Sequence, residues 1–306
     1  MNSIYTSTGK KILRHLSYLQ KFQSEGIINP ISLQIAPTSR CNLNCVFCSN
    51  KNRAAHEDLD YSEMIRFVKS INPKTIEWTG GGDPTQYKYI ADAIRLFHSW
   101  GIKQGFITNG IDLAETVGTN VVYLEWVRVS LNSLDYVRDI DLPVPIKTLG
   151  FSYVLNSKTT DDVLSRMEEC VNKYNPKYVR IVPDCQTSIK ELKEINEHNS
   201  KVVRTWGFPY FYQAKTFTHP KRCWWGYFKP FLLHDGFIYP CSSVVLNDSA
   251  DRSFHEKFRW MKMNDFAESC KHPTIPFDCK DCTNCVFGEQ NELVEAAIRT
   301  EMEDFI

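Results

Sequence analysis

The chain has 306 residues, 42% of them hydrophobic, enough for a sizeable core and too apolar for a disordered polypeptide. Lys+Arg and Asp+Glu both total 36, so overall charge gives no general attraction to nucleic acid or anionic membrane. No signal peptide and no apolar run of about 18 residues is visible, and eleven cysteines without secretory context point to metal ligation in a reducing compartment, most simply the cytoplasm.

In chain order, residues 1–30 are expected to form a helical cap. Lys10 to Gln23 places Ile12, Leu13, Leu16 and Leu19 at helical spacing with basic residues around them, suited to the floor of a barrel or, alternatively, to a membrane surface. Ile31 to Ala36 reads as a strand and leads into Cys41-Asn42-Leu43-Asn44-Cys45-Val46-Phe47-Cys48. Three thiolates on so short a loop can point at one centre, as in iron–sulfur proteins, whereas a structural zinc site would need a fourth ligand from elsewhere. Strand and helix then alternate. Tyr61 to Ile71 is helical, Lys74 to Trp78 extended, Tyr87 to Trp100 helical, Ile102 to Ile107 extended. Tyr123 to Leu131 and Leu149 to Leu155 are strands, Thr160 to Tyr174 a helix with an acidic first turn, and Tyr178 to Val182 a sixth strand. This order predicts an α/β fold with a parallel sheet and right-handed crossovers, six units being enough for a partial (β/α)6 TIM-like barrel. Ligands in such sheets bind beyond the carboxyl ends of the strands. The cysteines, Gly80-Gly81-Gly82-Asp83, Asn109, Ser130 and Asn132 all fall there.

C-x3-C-x2-C after a first strand, with Phe47 before the last cysteine, resembles the radical S-adenosylmethionine (SAM) enzymes. The resemblance covers roughly Ile31 to Glu197 within a core of residues 31–200. It implies that Cys41, Cys45 and Cys48 hold a [4Fe–4S] cluster whose open iron chelates SAM. Reductive cleavage then gives a 5′-deoxyadenosyl radical that abstracts hydrogen from a peptide, a sugar-like metabolite or a nucleotide, with net oxidation or a cross-link as the outcome. A flavodoxin- or ferredoxin-type protein would supply the electron. Gly80, Gly81, Gly82 and Asp83 match the family's SAM-ammonium loop, with Asp83 where Glu is usual. Read as residues alone, the same stretch is a tight strand-to-helix turn. Phe47 would lie against adenine; Asn109, Ser130 and Asn132 are cofactor contacts by position, or simply caps of strand ends.

Residues 201–306 change character. Phe231-Leu232-Leu233 and Phe237-Ile238-Tyr239 form a hairpin around Asp235-Gly236, flanked by Cys223 and Cys241. Cys270 and the run Cys279, Cys282, Cys285 follow. A zinc ribbon has related spacing. Beside the core, however, these cysteines resemble the auxiliary-cluster extensions called SPASM and twitch. Six cysteines are too few for two fully cysteine-ligated clusters, so one cluster is expected on four of Cys223, Cys241, Cys279, Cys282 and Cys285, the first four favoured. Cys170 and Cys185 are expected to be structural. Between Glu197 and Asp235 there are six cations, eleven aromatics and no acid. Arg204, Lys215, Lys221, Arg222 and Lys229 are candidates for an anionic substrate; a basic rim on an aromatic core is the plainer reading. The rival classes are a zinc-stabilised binding module and an iron–sulfur electron carrier, the latter having no need of a SAM loop.

Overall fold

The structure is a computed structural model, and it describes residues 9–50, 57–184, 186–243, 256–273, 275–282 and 285–298. Cys185 lies outside them. After a 3-10 turn, Gly9–His15, and helix α1 (Leu16–Glu25) come β1 (Ser32–Ile35), α2 (Tyr61–Ile71), β2 (Thr75–Trp78), α3 (Ile90–Ser99), β3 (Lys103–Thr108) and a short α4 (Leu113–Thr116). Then follow β4 (Trp126–Ser130), β5 (Leu149–Leu155), α5 (Asp161–Tyr174), β6 (Val179–Pro183), α6 (Ile189–Thr205) and β7 (Tyr210–Tyr212). β1 through β7 pair in sequence, all parallel. This is the expected partial barrel, with one strand more than the sequence reading counted.

Local signals explain the helices. Asp60, Thr160 and Ser188 cap α2, α5 and α6, each side chain accepting a backbone N–H three residues on. In the strands, alternate residues face opposite sides. Ile76, Phe106, Val127, Phe151 and Ile181 are fully buried under the helices, while Gln34, Glu77, Ile107, Arg128 and Arg180 line a central lumen.

Two departures from the expected elements lie beyond β6. α6 and β7 are absent from the expected elements, yet Ser188 caps α6, its hydroxyl accepting from the Glu191 N–H at 3.4 Å and donating to the Glu191 carboxylate at 2.8 Å. The expected hairpin, β9 (Phe231–Leu232) and β10 (Phe237–Tyr239), forms, but it does not stand apart. After the two-residue β8 (Arg222–Cys223), β9 pairs in parallel with β1, β10 with β9, and β11 (Met261–Lys262) with β10. One ten-stranded sheet, order β11-β10-β9-β1-β2-β3-β4-β5-β6-β7, therefore carries both halves of the chain. At the amino terminus Ile12 and Leu19 are buried, but Leu13 and Leu16 are about half exposed. The 3-10 geometry through His15 breaks the single apolar stripe that a continuous helix would have made. Lys11 reaches the lumen.

An ion pair joins the halves inside the lumen. Lys229, just before β9, donates to Glu77 on β2 at 2.9 Å, and Gln34 of the intervening β1 donates to the other Glu77 oxygen at 2.9 Å. Burial raises the Glu77 carboxyl, but Lys229 and then Arg128 pull harder and hold it below the usual carboxylate range. The pair is thus fully present at neutral pH and is lost as pH falls through that depressed value. Lys229→Met strands a mostly buried carboxylate, with an expected loss of about 3 kcal/mol at pH 7 in denaturant melts. The double variant with Glu77→Gln should recover much of it; equal stability of Lys229→Met and wild type would show that the pair does not hold the halves together.

Candidate active site

The cysteine loop leaves β1 at the carboxyl end of the sheet. Cys48 N–H donates to the Cys45 carbonyl at 3.0 Å, closing a turn. The N–H groups of Leu43 and Asn50 point at the sulfurs of Cys41 and Cys48, at 3.5 and 3.3 Å. Such donors favour thiolates. Burial, then the neighbouring Cys48 and Cys41, push the Cys45 thiol up to about 12. Three thiolates so close together call for a shared positive centre. The loop is held from several strand ends: Val46 N–H donates to the Tyr136 hydroxyl at 3.0 Å, and the Gln186 amide to the Cys48 carbonyl at 2.9 Å. Phe47 is half-buried within it.

The glycine turn docks on the residues that lead into the cysteines. Gly82 and Asp83 N–H groups donate to the Thr38 and Arg40 carbonyls, both at 2.8 Å. A Cβ on Gly82 would stand 1.8 Å from the Arg40 oxygen, so only glycine permits this approach. Gly81 faces His234 of the hairpin, and Gly80 lines the lumen. Asp83 turns away from the lumen. It is 4% exposed, and its carboxylate accepts from the Thr85 N–H and hydroxyl, the Thr108 hydroxyl and the Asn109 N–H, at 2.6 to 3.0 Å. Burial raises its pKa against these bonds. Asp83 thus ties the glycine turn to the end of β3.

Asn109 extends that tie to the cysteines. Its amide donates to Asn42 at 2.6 Å and lies 3.9 Å from the Cys41 sulfur. Asn132, 1% exposed, bonds the Val154 backbone in both directions, at 2.7 and 2.9 Å, and so fastens the end of β4 to β5. Ser130 stays half-buried at the same end.

Below these loops lies a lumen of about 840 Å³, the size of a small-molecule site. It reaches from Ser49 and Asn50 of the cysteine loop to Ser243 and Cys285. Of the five cations singled out by sequence, Lys215 and Lys229 line it, whereas Arg204, Lys221 and Arg222 are exposed and outside its lining. Five of the flanking aromatics, Phe211, Trp225, Tyr227, Phe228 and Phe231, are buried, and Tyr227 packs on Trp260 and Phe266, with ring centroids 4.7 and 5.7 Å apart. Arg128 and Arg180 were passed over. The alternation of Trp126-Val127-Arg128-Val129-Ser130 already put a cation on the face opposite to the helices.

The carboxy-terminal cysteines converge. Cys223, Cys241, Cys279, Cys282 and Cys285 all line one small cavity, and Cys270 does not. Cys223 pairs opposite Phe277 of β12 (Phe277–Asp278), Cys282 N–H donates to the Cys279 carbonyl at 2.8 Å, and Cys285 bridges Thr218. The Cys279 thiol, opposed by burial, and the N–H groups of Gly226 and Trp225 stabilise a Cys223 thiolate, lowering its pKa. Burial raises Cys241 well above its ordinary value. Cys270 is buried alone, its thiol pushed up by burial to about 12. Ser243, Cys285 and Phe287 line this cavity and the lumen alike, so the two spaces share a wall. None of the ten described cysteines forms a disulfide. Among the described residues no three His, Cys, Asp or Glu side chains converge tightly enough for one metal ion. A cubane takes one thiolate per iron, and its ligands stand wider apart.

Residues 35–182 match the family described as "Radical SAM superfamily". The chain is 25% identical over 170 residues to the tungsten-containing aldehyde ferredoxin oxidoreductase cofactor-modifying protein of Pyrococcus furiosus, covering 53% of this chain and 46% of that protein. It is 30% identical over 111 residues to a probable GTP 3′,8-cyclase of Pyrococcus abyssi, covering 34% of this chain and 35% of that one. It spans less than half the length of either. Among solved structures it is similar in fold to SuiB of Streptococcus suis bound to precursor peptide SuiA, with a TM-score of 0.53, 13% identity, and coverage of 88% of this chain and 72% of that one.

The contact at Gly82 gives a direct test. Gly82→Ala forces the glycine turn off the Arg40 backbone, and it should lower the melting temperature by several degrees. It should also expose Cys41 to faster alkylation in the metal-free protein; unchanged melting and alkylation would mean that the two loops are not docked.

Proposed function

The chain belongs to the radical SAM superfamily, whose members use a [4Fe–4S] cluster and SAM, and from that premise we propose that it is an enzyme that cleaves SAM reductively to modify a substrate held in the lumen. One observation carries this reading: a three-cysteine loop and a glycine turn are docked together at the mouth of a lumen large enough for a substrate. Bound there, the reduced cluster and SAM supply a 5′-deoxyadenosyl radical.

The protein's own groups do the rest. Cys41, Cys45 and Cys48 hold the cluster, with Asn109 and the Leu43 and Asn50 N–H groups orienting the sulfurs. Gly80 to Gly82 offer backbone carbonyls to the SAM ammonium, and Ser130 and Phe47 are placed for the rest of the nucleoside. Asp83 and Asn132, whose polar atoms are already engaged, act by positioning those loops.

We assign the carboxy-terminal cysteines to an auxiliary [4Fe–4S] cluster, held by four of Cys223, Cys241, Cys279, Cys282 and Cys285. The wall it shares with the lumen suits an electron acceptor beside the substrate, and hence a net oxidation or cross-link. The reductant is a small flavodoxin- or ferredoxin-type donor. No described helix is long and apolar enough to cross a membrane.

Replacing Cys41, Cys45 and Cys48 together by Ala should remove about half of the reconstituted iron and abolish 5′-deoxyadenosine formation. An undiminished cleavage rate in that variant would sink the proposal. Cys282→Ala, in contrast, should leave SAM cleavage in place while uncoupling it from product formation. Full product yield from that variant would make the second site structural.

A further inference from the structure

Arg128 and Arg180 project into the lumen from β4 and β6, either side of β5. The registers Arg128↔Gly150 and Ser152↔Arg180 set them on the same face, two positions apart along β5. The Nε atom of each is buried and has no hydrogen-bond partner. Among the described residues neither has a carboxylate within ion-pair distance. The Arg180 guanidinium donates to the Gln213 side-chain oxygen at 3.3 Å, and Arg128 lies over the Trp126 ring, 5.7 Å from its centroid. Glu77, whose carboxylate Arg128 helps to stabilise, is already bound to Lys229. Two half-buried guanidiniums whose buried Nε donors are unmet, and whose nearby acid, Glu77, is already shared with Lys229, are costly unless the protein binds something that completes them. Burial, then Arg128, lowers the Arg180 pKa to about 9.

We propose that Arg128 and Arg180 form the site for a phosphate group of the substrate, deep in the lumen. Two positive charges match a dianion better than a single carboxylate, and the planar guanidinium fork suits phosphate oxygens. The floor fits the same role. Trp126 and Tyr178, one layer nearer the strand amino ends, lie across Gly105 and Gly150, where a Cβ would meet their rings at 2.1 and 2.2 Å. A phosphate held on this floor leaves the rest of the molecule extending up the lumen toward the cysteine loop. The substrate is therefore a phosphorylated small molecule whose reacting carbon is remote from its phosphate. This inference deepens the functional reading above and rests on it for the word substrate, but the anion site is testable by itself.

The test is calorimetric titration of the anaerobically reconstituted full-length protein with inorganic phosphate and pyrophosphate, and with succinate as the carboxylate arm. Wild type should bind the phosphates, and Arg128→Gln and Arg180→Gln should each weaken them at least about tenfold. Arg→Lys variants, which keep the charge if a Gln variant fails to fold, should lose less. In unmodified wild type, phosphate should slow phenylglyoxal modification of these two arginines, read by mass spectrometry. Tighter succinate than phosphate binding would overturn the phosphate assignment. So would phosphate affinity unchanged in folded Arg variants, or no phosphate binding by a protein that cleaves SAM. Phosphate binding by a wild type that never cleaves SAM would keep the anion site and remove the enzymatic reading instead.

Discussion

The pairing of β1 on both of its edges is the constraint on which the rest of the structure depends. Gln34 pairs with Glu77 of β2 on one side and with Phe231 of β9 on the other. The ladder runs on past the strand: Thr79 N–H donates to the Ile35 carbonyl at 2.8 Å, and Ala36 N–H to the Leu232 carbonyl at 2.9 Å. These bonds fix where β1 ends and the cysteine loop begins. They also bring the glycine turn after β2 and the hairpin turn after β9 together at the end of β1, where Gly81 faces His234. A one-residue slip would reverse every side chain of β1 and take Gln34 out of the lumen. The buried Lys229–Glu77 pair, bridged by Gln34, crosses the same three strands and penalises any such slip.

From that arrangement follows a division of labour among polar residues. Those whose atoms are fully engaged, Asp83 and Asn132, hold strand ends in place, and their burial makes any substitution expensive. Those left with open donors, Arg128 and Arg180, face the lumen. Cationic donors left open on a lumen wall are poorly compensated by the protein itself, and the proposed anion site rests on that imbalance.

Much of the barrel was legible in the sequence because most of its strands alternate with amphipathic helices, α2 and α5 among them with clear caps. The limits of β5 were read as they stand, Leu149 to Leu155. The five carboxy-terminal cysteines could be grouped by spacing and hairpin placement, and they line one cavity. What escaped was non-local. Nothing in Phe231-Leu232 says that it pairs with β1, nearly 200 residues earlier, because parallel pairing leaves no turn signal. α6 escaped because few of its apolar residues are buried, Leu192 and Val203 among them, so its stripe is thin and only the Ser188–Glu191 cap announces it. The lysines and arginines of residues 201–229 drew attention by density, yet density follows the surface. The lumen cations Arg128 and Arg180 stand singly in apolar strands, where periodicity rather than composition is the signal.

The account stands most directly on what the anaerobically reconstituted wild-type protein binds. Iron and sulfide analysis with low-temperature EPR of the reduced protein, before and after SAM is added, measures both sites at once. About eight irons per chain are expected, as two cubane signals, with only one signal altered by SAM. A colourless protein holding zinc, or an iron–sulfur spectrum that SAM leaves untouched, would contradict it.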